Sequence, residues 1–117
     1  MSKFIGFVSY TPEAWAHMIS EGIDREAAIR EIVEHAGGVL ENAYWLFSQY
    51  DLIGVFEVPN EVDAMAICYA AYSSGSLKHI EFHAIIPASE NATMQCRAKE
   101  LTEVYKAVTH PDAHRHV

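Results

Sequence analysis

Residues 39–58 read VLENAYWLFSQYDLIGVFEV. Two β-rich runs, 39–47 and 51–58, flank a short turn at 48–50, so the stretch is expected to form a hairpin. Upstream, Gly37-Gly38 predicts a left-handed stop to the preceding helix. In that helix Ile29, Ile32, Val33 and Ala36 follow the spacing of a buried stripe. Gly22 interrupts the helical pattern, and Asp24 suits the cap of its restart. Thr11-Pro12 opens an earlier helix. Before it, KFIGFVSY at 3–10 reads as a strand with two apolar faces. Phe4, Gly6, Val8 and Tyr10 form one, and Ile5 and Phe7 the other.

Downstream of the hairpin, Asn60 suits the cap of a helix over 61–74. Met65, Cys68, Tyr69 and Tyr72 line one face, and Ile67, Ala70 and Ala71 keep the opposite side apolar or small. SSGS breaks that helix. LKHIEFHAII at 77–86 then reads as a fourth strand, ended by Pro87. A last helix is expected over about 90–108, with Met94, Leu101, Tyr105 and Val108 on a loose stripe. The tail THPDAHRHV has no pattern.

The order is strand, helix, strand, strand, helix, strand, with an added helix. It predicts an α+β, ferredoxin-like βαββαβ fold with a four-stranded antiparallel sheet. Residues 1–117 are read as one domain, with its core at 3–87 and a C-terminal helix and tail at 88–117. Both crossover helices cover one sheet face. Alternation puts Ile80, Phe82, Ala84 and Ile86 on that side, and His79, Glu81, His83 and Ile85 on the other. Trp45 or Tyr44 joins the open face, depending on register. A face that mixes apolar and ionisable groups is expected to meet a second copy, as a homodimer or larger homo-oligomer, with a small-molecule cavity between.

The chain has 117 residues and a formal charge of −8. That balance opposes binding to nucleic acid or to an anionic membrane surface. No apolar run approaches the roughly 20 residues of a spanning helix. MSKFIGFVSY lacks a signal-peptide pattern, and Cys68 and Cys96 lack metal spacing. A cytoplasmic protein with reduced thiols is expected.

The segment FSQYDLIGVFEVPNEVDAMAICYAAYSSGSLKHIEFHAI, with YTPEAWAHMISEGIDREAAIREIVEHAGGVL before it, resembles the GYD-domain family of small bacterial and archaeal proteins. The likeness covers about residues 3–87. Tyr50 and Asp51 stand at the motif's Tyr-Asp, and Gln49 replaces its Gly, which suggests a different turn. The resemblance implies a dimeric α+β barrel and no defined function. It also implies mostly Thr, Thr and Arg at 79, 81 and 83, where this chain has His, Glu and His.

Alternate strand residues lie about 6.6 Å apart, so His79 and His83 are about 13 Å apart along the strand. Zinc needs each nitrogen at about 2 Å, so one strand is not expected to hold a metal, and no cofactor is expected. Acid–base work suits the row better, because a Glu flanked by two His residues has coupled titrations. Enzymes of the wider barrel fold include cofactor-free monooxygenases and haem-degrading enzymes, several using an Asn, a Trp and a His or Arg. Here Asn42 and Trp45 alternate to opposite faces unless a bulge intervenes.

Tyr50 and Asp51 suit either a structural turn or a cavity mouth. Tyr10 and Trp45 are further ligand-binding candidates. His17 and His35 are expected at the surface, and His110, His114 and His116 in a flexible end or subunit contact. Three readings follow: a small-molecule-binding oligomer, a monooxygenase- or isomerase-like enzyme using His79, Glu81 or His83, and a ligand-free oligomeric scaffold.

Overall fold

A computed structural model of the chain describes residues 1–114. They divide into two compact units, Met1–Ile85 and a second from Ile86 onward. The first runs β1 (Ser2–Tyr10), α1 (Pro12–Glu21), α2 (Arg25–His35), β2 (Val39–Trp45), β3 (Leu52–Val58), α3 (Glu61–Ser73) and β4 (Leu77–Ile85). The strands form one antiparallel sheet in the order β2-β3-β1-β4. This is the ferredoxin-like arrangement that the order of elements predicts.

Local chemistry sets the helix boundaries. Thr11 Oγ1 accepts the Ala14 N–H, Asp24 Oδ1 the Ala27 N–H and Asn60 Oδ1 the Asp63 N–H, each at 3.1 Å. At the end of α2, Gly37 takes a φ of 86°. The Gly37 N–H donates to Glu34 and the Gly38 N–H to Val33, both at 2.9 Å, closing the last turn. A Cβ on Gly38 would lie 1.9 Å from the Glu57 carbonyl oxygen. The glycine pair therefore lets the chain turn from α2 straight into β2 alongside β3.

Register then decides the faces. Phe4, Gly6 and Val8 of β1 stand opposite Phe56, Gly54 and Leu52 of β3, and opposite Ala84, Phe82 and Ile80 of β4. This face packs on Val33 of α2 and on Ala64 and Ile67 of α3. Phe56 is its centre, stacked on Phe4 at 5.7 Å and edge-on to Phe82 at 4.9 Å. Ile80 and Phe82 reach the core as expected. Ala84 is exposed, and Ile86 lies past the end of β4 and is also exposed.

Two details go beyond the pattern. Of the two apolar faces of α3 only one meets the core: Ala64 and Ile67 are buried, while Met65, Tyr69 and Tyr72 are exposed. A helix apolar on most sides does not specify its own rotation. In β2 the register shifts between Leu40 and Asn42, leaving Glu41 as a bulge. Leu40 pairs with Phe56 and Trp45 with Leu52, so both lie on the helix-covered face. Tyr44, opposite Ile53, takes the open face. Of the two residues that the alternation left open, the extra residue at 41 therefore puts Tyr44, and not Trp45, on the side of the histidine row.

The second unit holds a 3-10 turn, Ala88–Glu90, and α4 (Asn91–Thr102). The helix stops short of 108. Val104 and Tyr105 both donate to the Leu101 carbonyl at 3.0 Å, and Thr102, Val104 and Tyr105 are poor helix formers. No residue of α4 is buried. His110 Nδ1 accepts the Asp112 N–H in a local turn at 2.9 Å, and His116 lies outside the described residues.

Phe56→Ala is expected to cost about 3–5 kcal/mol, because it empties the space between Phe4 and Phe82. Urea unfolding of the two proteins measures this. A loss under about 1 kcal/mol would mean that the three-ring contact is not the centre of the core.

Candidate functional site

On the open face, His79, Glu81 and His83 stand opposite Ser9, Phe7 and Ile5 of β1. Ile53 and Val55 continue the apolar floor on β3. Both imidazoles lean toward the residue between them. His79 Nε2 lies 2.8 Å from Glu81 Oε1, and His83 Nε2 lies 2.6 Å from Oε2. The Tyr50 hydroxyl donates to Oε1 at 2.7 Å. Tyr50 lies over Phe7 at 5.0 Å and beside the His79 ring at 6.0 Å. His83 meets Phe7 edge-on at 5.9 Å.

The charges follow from this geometry. Donation from Tyr50, then from His83 and His79, lowers the Glu81 carboxyl from 4.5 to about 2. The same bond raises the Tyr50 phenol, whose proton is held on an anion. Glu81 is therefore ionised at neutral pH and accepts only. Each neutral imidazole must carry its proton on Nε2, which leaves Nδ1 as the acceptor. Neither Nδ1 has a hydrogen-bond partner among the described residues. Glu81 itself is a poor base, since three donors occupy it. The chemistry open to the site is proton acceptance, or hydrogen bonding, by two imidazoles of fixed tautomer.

The row thus gathers His79, Glu81 and His83, as the strand pattern predicts, and adds Tyr50 from the hairpin connector. That addition is 31 residues away in sequence and depends on the β1–β3 and β1–β4 registers together. Trp45 and Tyr10 are not part of it. They cluster with Trp15 on the helix-covered side in edge-on and tilted contacts, with ring centroids 5.4–6.2 Å apart.

Asp51 serves that second cluster. Its Oδ2 accepts the Tyr10 N–H at 2.9 Å and the Trp15 Nε1–H at 3.2 Å. The Tyr10 N–H needs this acceptor because the β1–β4 register slips between Ser9 and Tyr10. Trp15 was not a candidate on sequence, because its indole N–H meets Asp51, 36 residues away, only in the folded chain. Gln49, at the motif's Gly, needs no left-handed backbone, since no described non-glycine residue has positive φ. Asn42 lies on the open face opposite Val55, across the sheet from Trp45, so the Asn–Trp–His grouping is not assembled. Cys68 offers no activated thiol, because burial pushes its pKa up. His17 and His35 are exposed.

Two tests follow. A carboxyl whose folded pKa is depressed contributes stability fully above its unfolded value, and loses it as pH falls through the folded value. The Glu81 contribution should therefore be intact above about 4.5 and fade toward about 2. Carboxyl ¹³C NMR should show Glu81 titrating near 2; a midpoint near 4.5 would mean that the three bonds are not made. Separately, Asp51→Ala leaves the buried Tyr10 N–H without an acceptor. It should cost about 1–3 kcal/mol and shift Trp15 fluorescence, whereas an unchanged denaturation midpoint would remove Asp51 as an anchor.

The family model of the GYD domain matches residues 4–95. Among solved structures, FFRP-DM1 is similar, with 16% identity and a TM-score of 0.50, over 74% of this chain and 100% of that one. At3g17210 from Arabidopsis thaliana shares 15% identity with a TM-score of 0.48, over 74% of this chain and 95% of that one. At such identity the first likeness is one of fold. No curated protein matches the chain.

Proposed function

We propose a function from the premise that the chain belongs to the GYD-domain family. The protein works as a homodimer or larger homo-oligomer, assembled through the open sheet face, and binds a small molecule in the cavity that the assembly closes. His79 and His83 are the polar contacts, and Ile5, Phe7, Ile53 and Val55 the apolar ones. The observation that carries this reading is the Glu81 carboxylate with three donors at 2.6–2.8 Å. A carboxylate used up in this way presents two imidazole acceptors over an apolar floor. That suits a ligand with an apolar body and one or two O–H or N–H donors.

Assembly is supported by what stays exposed. Val39 and Tyr44 are exposed on the open face. In the second unit Met94, Leu101 and Tyr105 are exposed as well. Apolar area of this kind is what an interface covers. No helix among the described residues is long and apolar enough to cross a membrane. Both cysteines are free, which fits a reducing cytoplasm. The net charge of −8 favours neither nucleic acid nor an anionic membrane as partner.

One observation favours a second reading. An imidazole held by a carboxylate in one tautomer is the arrangement of a general base. A cofactor-free enzyme would use His79 or His83 to take a proton from the bound molecule, with Glu81 positioning it.

Native mass spectrometry tests the assembly. Wild type is expected as a dimer or larger, and Ile53→Glu as a monomer with unchanged circular dichroism, because it places a charge in the interface. A monomeric wild type would sink the proposal. The double change His79→Ala with His83→Ala should keep the assembly and lose the retained small molecule. A wild-type assembly that carries none would leave the scaffold reading in its place.

A further inference from the structure

The helix-covered side of the sheet holds a pocket of about 210 Å³. On its floor Gly6 of β1 faces Gly54 of β3 across the ladder. Ile29 of α2 and Ile67 of α3 form walls, and Ala70 lines the α3 side with no more than a methyl group. Glycine on the sheet and alanine on α3 thus leave room between larger apolar walls. Protein cores leave few voids larger than a water molecule, so a space of this size reflects residue choice.

Arg25, the first residue of α2, also lines the pocket. Its guanidinium lies 5.6 Å from the centre of the Tyr10 ring, and its Nε donates to the Tyr10 hydroxyl at 3.4 Å. Both Nη groups remain, and the Tyr10 hydroxyl keeps its own proton to donate. Among the described residues no carboxylate pairs with Arg25. Among the same residues Lys78, Lys99 and Lys106 also lack an acidic partner, but of these four cations only Arg25 lines this pocket.

We infer that this pocket binds a small monocarboxylate with a compact apolar body. The body lies over Gly54, beside the Phe82 ring that covers Gly6, and the carboxylate takes the Arg25 fork and the Tyr10 hydroxyl. An apolar cavity of about 150 Å³ holds benzene, so this one admits a two-ring aromatic acid or a chain of about eight carbons. The site is separate from the histidine row, because the sheet lies between them. It stands or falls independently of the oligomer.

Calorimetric titration of the full chain with octanoate and with 2-naphthoate tests it, using 1-octanol and 2-naphthalenemethanol as uncharged controls. Wild type should bind at least one acid more tightly than its alcohol. Arg25→Gln should weaken the acid by about tenfold or more and leave the alcohol unchanged. A Cβ on Gly54 would meet nothing closer than 3.8 Å, so the Cβ of Gly54→Val fits and its two methyls project into the pocket. It should raise Tm and abolish binding of acid and alcohol alike. Should that variant fold poorly, Ala70→Leu fills the same space from α3. The inference is overturned if neither acid binds wild type, or if a folded pocket-filling variant binds as wild type does. Ile53→Glu should bind the acids normally, which separates this site from the assembly.

Discussion

The carboxylate of Asp51 holds the end of the sheet on which both sites depend. The β1–β4 ladder slips at Ser9 and Tyr10, and the slip strips the Tyr10 N–H of its strand partner. Asp51 replaces that partner, and its own N–H donates to Val8 at 2.8 Å. Ser9 adds a bond to the Gln49 carbonyl at 2.8 Å. The connector between β2 and β3 is thereby laced to the last residues of β1. Its two motif residues act on opposite sides. Tyr50 reaches over Phe7 to Glu81 on the open face, while Asp51 reaches Trp15 on the helix-covered face. A buried polar group without a partner costs about 1–3 kcal/mol, so a carboxylate that satisfies two donors there is worth its desolvation.

The histidine row shows how strand geometry restricts chemistry. Two residues about 13 Å apart along a strand do not converge on one small ion, yet they do converge on a group placed midway with two acceptor oxygens. Glu81 is that group. By accepting from both imidazoles and from Tyr50 it gives up its own basicity and fixes theirs. The result is a rigid polar strip on an apolar sheet, suited to contacts that must be directional.

Much of the fold was legible because its boundaries are set by local chemistry. Thr11, Asp24 and Asn60 cap through their own side chains, and Gly37-Gly38 closes α2 through its backbone. The row on β4 was legible for the same reason, since period two needs no tertiary information. What escaped the sequence needs the folded chain. The bulge at Glu41 moves Trp45 to the other face, and nothing in ENAYW announces the extra residue. The rotation of α3 escaped because its apolar residues run nearly all round, so the choice of Ala64 and Ile67 over Met65 and Tyr69 falls to packing. Tyr50 meeting Glu81 required two registers at once.

The glycine pair at the centre of the sheet separates structural necessity from something further. Gly6 is explained by packing: a Cβ there would lie 2.8 Å from the Phe82 ring. Gly54, directly opposite, has no such reason, since a Cβ would meet only ordinary contacts at 3.8 Å. Glycine inside a strand is destabilising by roughly 0.5–1 kcal/mol relative to alanine. Its backbone is not left-handed, so no turn requires it. A small apolar side chain at 54 would strengthen the strand and thicken the core. The position instead keeps open the floor of a pocket that Arg25 also lines, and the loss in stability is set against space for a ligand.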